Sequence, residues 1–406
     1  MIHNRFAVVG QGYVGLPLAI AAAEAGIDTV GIDQDAQKVK ILAGGQSLIS
    51  DIESDRIAQL ISDKKYSATT SFGEVSTAEF IAVCVPTPID DDRKPDLTYL
   101  NSALRSIGEN MSDGVVVIIE STISPGMTRE IALPILTESS GGKRFDLVYS
   151  PERIDPANVN WNVSNTPKLI AGLDENSSDR AVTFYSQFIK SLIRVSSVES
   201  VETAKLLENT FRLINISFIN EFAIFCEKMG LDVREVIDAA ATKPYGYMKF
   251  LPSAGIGGHC IPVDPAYLLS KANEIGAPSG FIEMALNFNS QLGERFASRA
   301  EELLGGVSGK TVLLVGVAYK PNVSDVRETP ALSLREALLS RGARVVWHDH
   351  KVETWCGETS SSLDSVVDLL ILVNPHSEVN LMELSQSALA RGIPVLDTGG
   401  STASHH

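Results

Sequence analysis

Apolar residues fall into short runs along the chain, separated by stretches compatible with helices. FAVVG (6–10) reads as a strand, LPLAIAAAEAG as a helix and IDTVGID (27–33) as a second strand, together a βαβ unit. FIAVCV (80–85), VVVIIE (115–120) and DLVYS (146–150) are apolar almost throughout, the pattern of strands in a mostly parallel sheet covered on both faces. From Val201 to Met229 there is neither Gly nor Pro, which predicts one long helix ended by Gly230. Residues 281–304 predict another, interrupted only by Gly293. After Gly305 the alternation returns with TVLLVG (311–316), a helix, ARVVWHD (343–349), DLLILVN (368–374) and PVLD (394–397). The expected fold is α/β: two Rossmann-like doubly wound domains joined by a long central helix and a helical spine. The expected boundaries are 1–195, 196–304 and 305–406. The spine is the expected place for a dimer interface, by analogy with other proteins.

Composition narrows the class. With 406 residues, 44% hydrophobic and 21% charged, the chain is a folded protein of two or three domains. Its formal charge of -16 argues against a nucleic-acid partner, which needs concentrated Lys and Arg. No apolar run reaches the ~18 residues of a membrane span, and the N-terminus enters a strand without a leader pattern. A cytoplasmic location away from membranes is therefore expected. Cysteines stand only at 84, 226, 260 and 356, without a CxxC pair, so free thiols are expected. Adjacent His259 and Cys260 are a poor start for a tetrahedral site, and no metal is expected.

Gly10, Gly12 and Gly15 form GxGxxG directly after a strand and at the start of a helix. The first glycine allows the tight turn, the second the approach of a pyrophosphate, and the third close helix–strand packing. The helix N-terminus favours the phosphates. Asp33 ends the next strand, where it would accept ribose hydroxyls and repel a 2′-phosphate, so NAD is expected rather than NADP. Lys38 either approaches the same edge or lies on a solvated helix face. The C-terminal repeat of the pattern has no GxGxxG, and no independent dinucleotide site is expected there.

On the long helix Lys205, Asn209 and Arg212 share one face among Leu206, Leu207, Phe211 and Ile214. A polar stripe in that company predicts a polar pocket inside the protein. GIGGHCIPVDP (255–265) sets Cys260 in a glycine-rich loop, where the residues alone leave it a nucleophile, a ligand or a small buried side chain.

Seven segments in order resemble the UDP-sugar 6-dehydrogenases, over nearly the whole chain: GQGYVGLPLA (10–19), VPTP (85–88), ESTISPGMT (120–128), SPERIDP (150–156), AKLLENTFR (204–212), GIGGHCIPVDP (255–265) and AYKPNVSDVRETP (318–330). The resemblance implies oxidation of a nucleotide-sugar C-6 alcohol to a carboxylate with two NAD. Cys260 would be the nucleophile, holding the sugar first as a thiohemiacetal and then as a thioester. Its thiol needs a cation to become a thiolate near neutral pH, and Lys205 is the candidate. Lys205, Asn209 and Asp264 would hold a water or stabilise the oxyanion, and Glu152 would be the general base of thioester hydrolysis. The resemblance further implies NAD contacts from Tyr13, Val14, Thr87, Thr122 and Arg327. It implies substrate contacts from Arg153, Ile154, Lys205, Asn209, Arg212, Gly257, Tyr319 and Lys320. Each has a plainer reading from sequence: Glu152 as an ion pair with Arg153, Arg327 as a surface pair with Asp325 or Glu328, and the threonines as turn residues.

Val263 stands where UDP-glucose enzymes have lysine, and SPER stands where they have NPEF; both resemble the N-acetylhexosamine branch. KPYGYM (243–248) resembles relatives acting on UDP-N-acetylglucosamine. UDP-N-acetylmannosamine, UDP-N-acetylgalactosamine and UDP-glucose remain the alternatives. VLDTGG departs from the family's VxDTRN, which leaves the role of that C-terminal segment open. A homodimer is expected. The rival classes are a single-step NAD-dependent hydroxyacid dehydrogenase, which needs no cysteine, and a non-catalytic NAD-binding regulator, which has no use for Cys260, Lys205 and Asp264 together.

Overall fold

The computed structural model describes residues 5–49, 52–90, 93–155, 158, 160–258 and 261–400. The chain divides into two compact units, residues 1–208 with 266–275, and residues 209–265 with 276–406.

In the first unit eight strands form one sheet. They are β1 (Arg5–Val9), β2 (Asp28–Ile32), β3 (Tyr66–Thr69), β4 (Phe80–Val83), β5 (Val115–Ile119), β6 (Phe145–Tyr149), β7 (Lys168–Gly172) and β8 (Leu192–Arg194). Their order is β3-β2-β1-β4-β5-β6-β7-β8, a doubly wound sheet extended by two strands. All neighbours are parallel except β6 and β7, which pair antiparallel through Val148 with Gly172 and Tyr149 with Ala171. The helices are α1 (Gly15–Glu24), α2 (Ala36–Ala43), α3 (Ser54–Ser62), α4 (Thr98–Asn110), α5 (Leu133–Ser139) and α6 (Glu175–Tyr185). Both sheet faces are buried: Phe6, Val8 and Ile118 pack into one core, Ala7, Val9 and Ile119 into the other. That two-sided burial is why these strands read as unbroken apolar runs.

α7 (Val198–Met229) runs 32 residues, and the division between units falls within it. Gly230 ends it at φ +68°. α8 (Val233–Ala241) and α9 (Asp264–Ile275) follow, then α10 (Gly280–Ser290) and α11 (Leu292–Leu304). The helix expected over 281–304 is thus two helices. The break falls at Gln291, and Gly293 lies inside α11, where an added Cβ would stand 2.6 Å from the Ser333 hydroxyl. Gly293 serves close packing on α12 (Pro330–Ser340) rather than interruption.

In the second unit β9 (Thr311–Val315), β10 (Arg344–His348), β13 (Leu369–Leu372) and β14 (Val395–Asp397) form a parallel sheet in the order β10-β9-β13-β14. β11 (Thr354–Trp355) and β12 (Glu358–Thr359) make a small hairpin, and α13 (Leu381–Ala390) precedes β14. The turn after β9 repeats the turn after β1 bond for bond. Gly10 N donates to Ile32 O and Gly316 N to His348 O; Gln11 N donates to Asp33 Oδ2 and Val317 N to Asp349 Oδ2. In the second copy, Asp349 also receives Ala318 N, Lys351 N and the ring of His376, whose Nε2 lies 2.7 Å from Oδ1.

Candidate active site

The dinucleotide fingerprint is built as the sequence predicts. A Cβ on Gly15 would stand 1.8 Å from Gly10 O, and one on Gly10 2.4 Å from Cys84 O, so both must be glycine for β1, α1 and β4 to pack. No described atom lies within 4 Å of a Cβ placed on Gly12, which leaves open space at the turn where a pyrophosphate would sit. Tyr13 is exposed and Val14 half-buried, just before α1. Asp33 is buried at the end of β2, taking Gln11 N at 2.9 Å and Asp35 N at 3.0 Å, and Lys38 Nζ approaches Oδ2 to 3.7 Å. These residues fit NAD. The Tyr66 hydroxyl donates to Gln11 Oε1 at 2.8 Å beneath the turn, and burial, aided by Asp33, pushes its pKa upward.

Thr87 and Thr122 lie half-buried after β4 and β5. The first has its carbonyl tied at 3.0 Å by the Tyr267 hydroxyl of α9. After β6 the SPER turn folds around Glu152, whose Oε1 accepts Arg153 N at 2.6 Å and Ile154 N at 2.8 Å. Arg153 points instead to Glu208 of α7, at 2.6 and 3.1 Å, and to Pro167 O. The pairing of Glu152 with Arg153 is therefore through the backbone, and its ionic neighbour is Lys168, 3.7 Å away. Lys168 in turn lies 2.5 Å from Glu120, which accepts the Tyr185 hydroxyl.

Burial lifts the Glu120 pKa to about 7 against the pull of Lys168, with Glu152 adding to the rise. Burial acts against the charge of Lys168, but Glu120 and then Glu152 outweigh it, and its pKa is raised. Burial and then Glu120 hold the Cys84 thiol far up as well. Sequence reading missed Glu120, Lys168 and Tyr185. Their one signal is a charge set at the end of an apolar strand in VVVIIE and at the head of another in KLIAG.

α7 sets polar groups among the apolar residues of its covered face, beside Val201, Leu206 and Leu213. Lys205, 7% exposed, and Asn209, 8% exposed, are buried as expected, while Arg212, expected in the same internal pocket, is exposed with Leu207 and Phe211, because the covered part of the stripe ends before it. Asn209 Nδ2 donates to Asp264 Oδ2 at 2.5 Å, with Asp264 buried at the start of α9. His259 and Cys260 lie outside the described residues. The glycines leading to them are packed hard: a Cβ on Gly257 would stand 2.4 Å from Glu328 O, and one on Gly258, at φ +86°, 2.8 Å from the Tyr319 ring. The GIGG loop is thereby moulded to the AYKPNVSDVRETP segment. Lys320 Nζ sits 5.9 Å from the Tyr319 ring centroid. Arg327 forms a two-pronged pair with Asp325, at 2.6 and 2.9 Å, the surface pairing that its sequence neighbours allow. Among the described residues no group of three His, Cys, Asp or Glu side chains is placed to hold a metal, and no helix is long and apolar enough to cross a membrane.

Family models match in chain order: the NAD binding domain of the UDP-glucose/GDP-mannose dehydrogenase family over residues 4–189, its central domain over 199–291 and its UDP binding domain over 313–401. The chain is 35% identical to a UDP-N-acetyl-D-mannosamine dehydrogenase of Pyrococcus horikoshii, across 92% of this chain and 90% of that one. It is 36% identical to a UDP-N-acetyl-D-glucosamine 6-dehydrogenase of Pseudomonas aeruginosa, across 84% and 81%. A solved structure of a UDP-D-ManNAc dehydrogenase from Pyrococcus horikoshii superposes with a TM-score of 0.88 at 30% identity, covering 98% of this chain and 99% of that one. With its three domains matched in order and its dinucleotide turn intact, the chain belongs to the UDP-glucose/GDP-mannose dehydrogenase family and is an NAD-dependent UDP-sugar dehydrogenase.

Proposed function

We propose that the protein oxidises the C-6 alcohol of a UDP-N-acetylhexosamine to the uronic acid, removing four electrons through a covalent bond to Cys260. What supports the reading most is the buried polar face of α7, where Asn209 meets Asp264 at 2.5 Å one turn from buried Lys205. A mostly apolar helix does not bury such groups without a use for them. NAD, when bound, accepts the hydride in each of two oxidations.

The residues divide the remaining work. Lys205 favours the Cys260 thiolate, which adds to the aldehyde carbon to give a thiohemiacetal; the second oxidation leaves a thioester. Asn209 and Asp264, with Lys205, stabilise the charge developing on the C-6 oxygen. Glu152 takes a proton from the water that attacks the thioester carbon, and the C–S bond breaks to return the electron pair to sulfur. Asp33 takes the ribose hydroxyls of NAD with Lys38 beside it. The Gly10–Gly15 turn takes the pyrophosphate, and Tyr13, Val14, Thr87, Thr122 and Arg327 line the rest of its path. Arg153, Ile154, Arg212, Gly257, Tyr319 and Lys320 hold the UDP-sugar. Guanidinium groups suit its phosphates.

Named relatives include both the manno and the gluco epimer. The KPYGYM segment favours UDP-N-acetylglucosamine. The chain works in the cytoplasm and assembles as a homodimer, the latter supported by a row of exposed aromatic residues on α7: Phe211, Phe218 and Phe225, seven residues apart.

NADH counted against sugar consumed, over a panel of UDP-sugars, tests the reading. Two NADH per N-acetylhexosamine, with Cys260→Ser stalled, are expected. One NADH per turnover with Cys260→Ala fully active would sink it, and turnover of UDP-glucose alone would overturn the branch.

A further inference from the structure

At the carboxyl end of the first sheet three charged side chains pack in a row: Glu120 just past β5, Lys168 at the head of β7, and Glu152 in the turn after β6. β7 runs antiparallel to β6, so its first residue, not its last, reaches the end of the sheet where open α/β folds place their ligands. Ser150 Oγ donates to Leu169 O at 2.8 Å and fixes the turn against β7. We propose that Lys168 is a positioning residue for thioester hydrolysis, its ammonium anchored by Glu120 and aimed so that Glu152 stays an oriented carboxylate. This rests on the reading of Glu152 as the hydrolytic base.

The contacts around Lys168 Nζ exceed what a simple buried ion pair requires. Glu120 Oε2 lies at 2.5 Å, Pro151 O at 3.5 Å and Glu152 Oε2 at 3.7 Å, while the Tyr185 ring centroid lies at 5.5 Å. Tyr185 donates to Glu120 Oε1, so Glu120 is held from one side by a phenol and from the other by the ammonium. Cys84, at the end of β4, completes the titratable surroundings. Glu152 Oε1 is already taken by the N–H groups of Arg153 and Ile154. Oε2 is then the oxygen on which a water proton would land, and Lys168 is the cation set beside it. Without that cation no described positive group beside Oε2 would hold it in place, and Glu152 would be left to turn away from Glu120.

The test follows each half of the reaction separately, by rapid-mixing measurement of NADH and by the intact mass of the protein during turnover. Glu152→Gln and the double variant Glu120→Gln/Lys168→Met, which removes both charges of the buried pair together, should form early NADH at the normal rate. Both should then accumulate a substrate-mass adduct on Cys260, with steady turnover slowed by about tenfold or more. Lys168→Gln should behave as the double variant does, and Lys168→Arg should recover most of the rate with no adduct. If the double variant and Lys168→Gln both clear the adduct as fast as the unaltered protein while Glu152→Gln accumulates it, Lys168 is structural only and the proposal is overturned. If Glu152→Gln itself accumulates none, the base assignment falls, and the proposal with it.

Discussion

Gly12 and Gly15 stand three residues apart in one turn, yet a methyl group would mean different things at each. At Gly15 it would enter the Gly10 carbonyl; at Gly12 it meets no described atom. Gly12→Ala should therefore leave the thermal midpoint unchanged and weaken NAD by about tenfold, or ~1.4 kcal/mol, in a titration. Gly15→Ala should destabilise by about 1–3 kcal/mol, seen in denaturant unfolding. Residues of this kind are legible because a motif ties each to one backbone task. Asp33, Asn209 and Asp264 were legible in the same way, from position in a motif. Glu120 and Lys168 were not. Each is a single charge at the edge of an apolar strand, and its partner is set by how β5, β6 and β7 align, which no local pattern encodes.

At the scale of elements α7 is the informative one. Glu202, Lys205, Asn209 and Asn220 are buried, while Phe218 is 61% and Phe225 55% exposed. Phe222 stacks between the two phenylalanines, at 6.4 Å from Phe218 and 5.8 Å from Phe225. An aromatic ladder in heptad spacing suits the same helix of a second copy. The double change Phe218→Glu/Phe225→Glu should convert a dimer to a monomer in sedimentation while NAD still binds; an unaltered mass would contradict the homodimer. The length of α7 was legible from the missing Gly and Pro. The burial of Lys205 and Asn209 was legible from their apolar company, but the exposure of Arg212 was not, because periodicity places three residues on one face without saying how far along the helix that face stays covered. β3, β7 and β8 escaped notice for another reason: YSAT and LIR are too short or too polar to stand out, and KLIAG begins with a charge. Gln291 gave no sign of a helix break, and Gly293 gave a false one.

For the whole molecule, the buried Glu120–Lys168 pair ties stability to pH. The folded Glu120 pKa of about 7 lies above the ~4.3 of an unfolded glutamate, so between those values the folded chain holds the extra proton. Its contribution to stability is fully present below about pH 4.3 and is lost as pH rises through about 7. Glu120→Gln should therefore gain thermal stability relative to the unaltered protein between pH 5 and pH 8. A difference that stays constant over that range would show that Glu120 has an ordinary pKa.

The doubled turn has a consequence for timing. Each Asp349 oxygen takes two donors, filling the roughly four acceptor sites of a carboxylate. Asp33 takes one backbone N–H on each oxygen among the described residues. The second copy of the turn is closed by its own imidazole, which leaves one open dinucleotide turn among the described residues, while the proposed four-electron reaction would call for two dinucleotides. On that proposal the protein would discharge the first and admit the second while the sugar is half oxidised. A free aldehyde would be at risk of escape during that exchange, and the proposed bond to sulfur would work as a tether that lasts through the change of shift.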